Sequence, residues 1–237
     1  MAAADDPSPQ RPLDLPAPAA AMGRADFILG PGNRIAFALL ESWPMGWAAG
    51  KLALCGPPGS GKTHLTRIWA TDSRATVLPA RALPGADIAA LAHGPVAVED
   101  VARIAGHPAP EEALLHLHNL LLAEGQTLLV TDRLPPARWP LRLPDLASRM
   151  QACPVVKLEA PDDRLLGGLL VKLFADRQIL PAKDVIPFLL VRMERSFEAA
   201  RRIAAALDAQ SLAEQRPVTR AMAARVLARL DNDPPQS

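Results

Sequence analysis

Between residues 26 and 160 the chain alternates short apolar runs with amphipathic stretches. The runs at 52–55, 75–78, 96–98, 127–131 and 155–158 have the length and β-branched or leucine content of buried strands. The segments between them follow a helical period. They span 35–42, 64–72, 88–92 and 111–124, the last with Leu114, Leu117, Leu121 and Leu122 as its apolar positions and Gly125 as a C-cap. Strands alternating with helices predict parallel βαβ units. After Pro161 the strand pattern stops. Helices are predicted over 163–178 (despite Gly167 and Gly168), 184–193, 196–212 and 220–230, the last with Thr219 as N-cap. Met193, Phe197, Ala200, Ile203 and Leu207 fall on one face there. The expected fold class is α/β with a parallel sheet, at 26–160, followed by a small all-helical domain at 161–237.

Residues 1–25 carry no such period and are rich in Ala, Pro and Asp, so they read as a flexible tail. The whole chain of 237 residues is 49% hydrophobic and 22% charged, the composition of a soluble globular protein. A net charge of +1 provides no field that would draw it onto nucleic acid or membrane. The two cysteines, Cys55 and Cys153, cannot form a disulfide scaffold and suit a reducing compartment. No run approaches 18 apolar residues, and the N-terminus lacks the basic–apolar–small order of a signal peptide. Cytoplasmic residence without membrane attachment is the expectation.

Candidate chemistry begins at the end of the first predicted core strand. Gly56, Pro57, Pro58, Gly59, Ser60, Gly61, Lys62 and Thr63 fit G-x-x-x-x-G-K-[ST], followed by a helical stretch from His64. Glycines let the backbone wrap a phosphate, and the helix N-terminus adds positive partial charge. Lys62 would reach the outer phosphates, and the Thr63 hydroxyl would hold Mg²⁺. Such a site needs acids at a neighbouring strand tip. Val96-Ala97-Val98 ends in Glu99 and Asp100: one carboxylate can orient Mg²⁺, the other can polarise an attacking water. Glu stands where Asp is usual, which shifts the carboxylate by about 1.5 Å and predicts binding with slow turnover. Thr131-Asp132-Arg133 ends the next strand, where a polar residue can sense a γ-phosphate, although strand ends are also polar for no such reason. Arg149 and Arg195 are candidates for stabilising phosphate charge, while most surface arginines are merely solvated or paired. His116 and His118 stand i, i+2 on a helix and point apart, and the histidines show no metal spacing. Cys55 and the four tryptophans read as packing residues.

Taken together these segments resemble the Hda/DnaA-like family of AAA+ ATPases, whose members include a regulatory inactivator of the replication initiator DnaA. The resemblance runs from Gln10 to about Leu230. Residues 26–33 resemble the segment that lines the adenine pocket, which gives Phe27, Ile28 and Asn33 that role. Residues 56–63 stand for Walker A and 96–100 for Walker B. Residues 131–136 resemble sensor 1, with Asp132 as the sensing residue. Residues 143–149 resemble the segment presenting an arginine finger, Arg149. Residues 193–197 resemble the sensor 2 helix, so Arg195 would contact the nucleotide and the helical domain would be a lid. Gln10, Leu13 and Leu15 resemble the peptide that docks in the DNA polymerase sliding clamp, with Arg11 and Pro12 as departures inside it.

The resemblance implies a clamp-associated negative regulator of DNA replication initiation. It would bind ADP or ATP with Mg²⁺ and stimulate hydrolysis of DnaA-bound ATP through Arg149, meeting DNA only through the clamp. A homodimer is compatible with the pattern. The alternative is an AAA+ adaptor or helper ATPase that recruits a DnaA-related partner without stimulating hydrolysis. A small-molecule kinase would need a substrate-lid signature that the helical second half lacks. A DNA-loading ATPase would need a basic stripe that the near-neutral charge does not support.

Overall fold

The computed structural model describes residues 23–24 and 27–232; Gln10, Leu13 and Leu15 lie outside them. Five strands, β1 (Lys51–Cys55), β2 (Thr76–Pro79), β3 (Val96–Glu99), β4 (Leu128–Asp132) and β5 (Val155–Lys157), form one sheet in the order β2-β3-β4-β1-β5. Every pairing is parallel. Parallel strands need a crossover between neighbours. These are supplied by α2 (Lys62–Ser73), α3 (Ile88–Leu91), α4 (Pro108–Ala123) and α5 (Pro144–Gln151), with α1 (Arg34–Glu41) ahead of β1. Four helices follow: α6 (Asp163–Asp176), α7 (Val185–Arg192), α8 (Phe197–Glu214) and α9 (Arg220–Asn232).

Side-chain alternation along each strand divides the core between the two faces. Leu52 and Leu54 of β1 pack on one face with Ala36 and Leu40 of α1 and Leu65, Ile68 and Trp69 of α2. Ala53 points the other way, into Leu114, Leu117 and Leu121 of α4 and Leu146 and Met150 of α5. A third cluster belongs to α6–α9, where the predicted face of Met193, Phe197, Ala200, Ile203 and Leu207 is buried against Leu166, Leu170, Phe174 and Val226. Each fully buried leucine here contributes about 2 kcal/mol relative to exposure. Trp47 and Trp69 stack at 5.1 Å and Trp43 meets Trp69 edge-on at 6.1 Å, so these indoles pack the α1–α2 face. Cys55 is a buried strand residue. Among the described residues no helix is long and apolar enough to cross a membrane.

Strand and helix boundaries lie within about three residues of the expected ones. The helix α5 was not foreseen. Its sequence starts on a proline, spans only eight residues and buries only Leu146 and Met150, too few apolar positions to reveal a period.

Candidate functional site

All five strands point their C-terminal ends the same way, and the candidate residues collect along that edge. β1 ends at Cys55 beside Asp132, and the Gly56 N–H donates to the Asp132 carbonyl (3.2 Å). The loop then turns through Gly59 (φ 68) and Gly61 (φ 98), conformations that a side chain disfavours. α2 starts at once with Lys62 and has no side-chain N-cap, so its first-turn N–H groups can serve an anion. Lys62 Nζ donates to the Gly56 carbonyl (2.7 Å) and the Pro57 carbonyl (2.9 Å), which holds the ammonium across the loop. Burial lowers the Lys62 pKa; Asp100 and Asp132 oppose that shift through their charge. The Ser60 hydroxyl is buried without a hydrogen-bond partner.

Glu99 reaches toward α2, and the Thr63 hydroxyl hydrogen-bonds its carboxylate. Burial raises the Glu99 pKa, the Thr63 bond lowers it, and the Asp100 charge adds to the rise. Glu99 Oε1 has no hydrogen-bond partner, an expensive condition for a buried carboxylate oxygen. A hydroxyl and an under-satisfied carboxylate side by side offer two oxygen donors of the kind that a hard cation such as Mg²⁺ takes. Thr63 and Glu99 would hold it, and it would supply charge for bound phosphates. Asp100 adopts a left-handed backbone (φ 57) that aspartate tolerates. Its half-exposed carboxylate lies 3.5 Å from Arg103.

Two of the expected residues have partners within the chain. Asp132 is buried at the site, but its oxygens accept the backbone N–H groups of Ala102 (2.6 Å) and Arg133 (2.6 Å). It therefore pins the turn after Asp100 and acts on Lys62 through its field. Arg195 has a partner outside the loop. Its guanidinium pairs with Asp163 at 2.9 Å, at the start of α6, and both side chains are more than half exposed. The neighbouring Ser196 and Phe197 meet the loop instead: the Phe197 N–H donates to the Gly59 carbonyl (3.1 Å). A Cβ on Gly61 would lie 3.4 Å from the Phe197 ring and 3.8 Å from the Phe27 ring. No local pattern singles out Ser196 and Phe197, because their role depends on how the helical part docks.

The segment from Phe27 to Asn33 lies alongside. Phe27 stacks on Phe37 at 5.4 Å and meets His64 edge-on at 5.2 Å. His64 is buried behind Thr63, with Nε2 3.0 Å from the Gly23 carbonyl and Nδ1 3.2 Å from Arg201 of α8. Asn33 spends its amide on the chain, accepting from the Gly30 N–H (2.8 Å) and donating to the Ile28 carbonyl (2.9 Å). It shapes the loop. Ile28, Gly30, Pro31, Arg34, Asp162 and Leu165 line an open cavity of about 430 Å³, large enough for a planar base. Pro31, Asn33, Pro161 and Phe197 line a smaller cleft beside it.

Arg149 lies elsewhere. It sits in the last turn of α5, on the sheet face opposite α2. Its backbone carbonyl accepts from Nζ of Lys51, the first residue of β1, at 3.0 Å. The phosphate loop leaves the other end of that strand, about 13 Å away. The guanidinium, about a third exposed, pairs with Asp145 at 3.0 Å. Beneath it His118 is buried and His116 exposed. Burial lowers the His118 pKa, Asn119 opposes the shift, and the Lys51 and Arg149 charges add to it. A neutral ring donating from Nδ1 to Asn119 (3.4 Å) leaves Nε2 to accept from Lys51 (3.4 Å). Burial pushes the Cys153 thiol up to about 11, so it stays protonated and donates to the Arg149 carbonyl at 3.6 Å.

No family model matches the sequence. Its structure is similar to domain III of the replication initiation protein DnaA from Thermotoga maritima, with a TM-score of 0.75 and 20% identity over 88% of this chain and 96% of that one. It is also similar to AMPPCP-bound DnaA from Aquifex aeolicus (TM-score 0.63, 18% identity, 80% of this chain and 68% of that one). A single-substitution variant of RuvB from Thermotoga maritima gives a TM-score of 0.68 at 17% identity, over 87% and 71%. These likenesses establish the fold: an α/β core with a five-stranded parallel sheet in the order β2-β3-β4-β1-β5, followed by C-terminal helices.

Proposed function

We propose that the chain is a sliding-clamp-associated negative regulator of DNA replication initiation. In this reading it binds ADP or ATP with Mg²⁺ in its own phosphate loop and presents Arg149 to ATP held by DnaA. The observation that carries the reading is the position of Arg149, on the opposite sheet face and at the opposite strand end from its own loop. A guanidinium placed there cannot serve a nucleotide in cis and is available to one on a neighbouring molecule. A finger supplied in trans accelerates hydrolysis by about 10³–10⁵. The chain's own site favours retention over turnover. Lys62, the α2 N-terminus and the Thr63–Glu99 pair are built for phosphate and cation, whereas Asp132 is occupied by backbone donors. Gln10, Leu13 and Leu15 would tether the chain to the clamp, an extended peptide with an amide for orientation and two apolar anchors. With a net charge of +1 the chain would reach DNA through that ring rather than by its own field.

A second reading is an adaptor that brings a DnaA-related partner to the clamp without stimulating hydrolysis. The Asp145–Arg149 ion pair favours it, because the guanidinium already has a partner. An exposed pair of this kind is worth only about 0.5 kcal/mol, little enough for a phosphate to displace. Hydrolysis of DnaA-bound ATP, measured with and without this protein and with and without DNA-loaded clamp, separates the two. The proposal expects stimulation only in the complete mixture, and its loss when Gln10, Leu13 and Leu15 are replaced by Ala. The adaptor reading expects DnaA to hydrolyse at its basal rate throughout.

A further inference from the structure

We propose that Glu111 and Lys51 are positioning residues for the Arg149 guanidinium, gripping opposite ends of α5 with buried opposite charges. This rests on the reading of Arg149 given above.

The helix α5 has no side-chain cap of its own. At its N-terminal end the Glu111 carboxylate does that work from α4. Oε2 accepts the N–H groups of Leu143 (2.8 Å) and Arg142 (3.0 Å), and Oε1 accepts those of Gly106 (2.7 Å) and Arg142 (3.1 Å). At the C-terminal end the Arg149 carbonyl is met by the Lys51 ammonium and the Cys153 thiol. An anion at the start of a helix and a cation at its end both complement the dipole. Both groups are buried, Glu111 at 1% exposure and Lys51 at 8%. Charges are almost never placed so deep unless bonded, and four of the six side-chain bonds these two make go to α5 or the loop leading into it.

The spacing fits as well. Glu111 and His118 stand seven residues apart on α4, so they share a face and lie about 10 Å apart along the axis. The grip points on α5, the Leu143 N–H and the Arg149 carbonyl, lie about 9 Å apart along theirs. Glu111 takes the first directly, and His118 takes the second through Lys51. Arg149 thus leaves a helix fixed at two points to the sheet and to α4, and the residue gripped at the second point is Arg149 itself.

The test compares Lys51→Met and Glu111→Gln with wild type and Arg149→Ala in three measurements: ADP affinity, amide exchange in α5, and stimulated hydrolysis of DnaA-bound ATP. Both variants should keep ADP affinity, because the phosphate loop is at the other end of the sheet. Amides of α5 should exchange at least tenfold faster. The maximal stimulated rate should fall about 10- to 100-fold, the cost of misplacing a reacting group by about an ångström. Lys51→Arg, which keeps a cation at the carbonyl, should recover most of that loss. If Lys51→Met does not fold, as loss of ADP binding would reveal, Lys51→Gln replaces it. Full stimulation by Arg149→Ala would overturn the finger reading, and the positioning role with it. An inactive Arg149→Ala alongside fully active Lys51→Met and Glu111→Gln would overturn the positioning role alone. So would unchanged α5 exchange.

Discussion

Arg149→Ala is expected to lower the stimulated hydrolysis of DnaA-bound ATP by about 10³-fold or more while leaving the fold and the chain's own nucleotide affinity intact. The size of the effect follows from what a guanidinium does at a transferring phosphoryl group: it neutralises charge that builds only as the reaction proceeds. Its selectivity follows from position. Arg149 is in contact with Asp145 on its own helix and, through its carbonyl, with Lys51 and Cys153. Removing the side chain costs the fold only an exposed ion pair, about 0.5 kcal/mol. A hydrolysis assay paired with an ADP titration of the same variant reads both halves. If stimulation and ADP binding fell together, Arg149 would be acting on its own loop or on the fold. If both stayed at wild-type levels, Arg149 would not be the finger.

Gly59→Ala should distort the 56–63 loop and push the C-terminal helices off it. Two independent costs meet at this residue. Its φ of 68 lies where a Cβ is strained. The added Cβ would also overlap that of Ser196 and come 3.0 Å from the Ser196 Cα. Backbone cannot yield as a side-chain tip can, and Ser196 caps α8 by accepting the Ala199 N–H at 3.0 Å. Strain of about 1–2 kcal/mol plus overpacking of about 1–3 kcal/mol gives an expected destabilisation of about 3 kcal/mol. A denaturant titration measures that, and loss of the Phe197–Gly59 hydrogen bond should appear as faster exchange at the Phe197 amide. A variant as stable as wild type, with the Phe197 amide still protected, would show that Ser196 and Phe197 do not rest on Gly59.

Local chemistry was readable in this chain, and long-range docking was not. The phosphate loop could be found from eight consecutive residues, because the geometry it needs is encoded by glycines and a lysine at fixed offsets. The strands could be found because each is a short apolar run between turn residues, and the long helices because their periods span several turns. Glu99 and Asp100 followed from their place at a strand tip. What escaped depends on which surfaces meet. Asp132 could be placed at the site but not oriented, since the Ala102 N–H that occupies it comes from another strand's loop. Arg195 pairs with Asp163, while the contact with Gly59 falls to Ser196 and Phe197, a packing that only the docking of the helices decides. His116 and His118 could be seen to point apart on α4, yet nothing in the sequence tied His118 to Lys51, 67 residues away. Glu111 looked like an ordinary acid in a helix's first turn; its partners lie 5, 31 and 32 residues away.

The strand-end face built from Lys62, Thr63 and Glu99 is expected to take an adenine nucleotide. Calorimetric titration of ADP and of ATP with Mg²⁺ into the wild-type protein and into Lys62→Ala tests it most directly. The account predicts saturable binding at one site per chain, weakened about 100-fold by removal of the ammonium, the value of a charge-assisted contact to phosphate. No binding of either nucleotide to the wild-type protein, or equal affinity in Lys62→Ala, would contradict it.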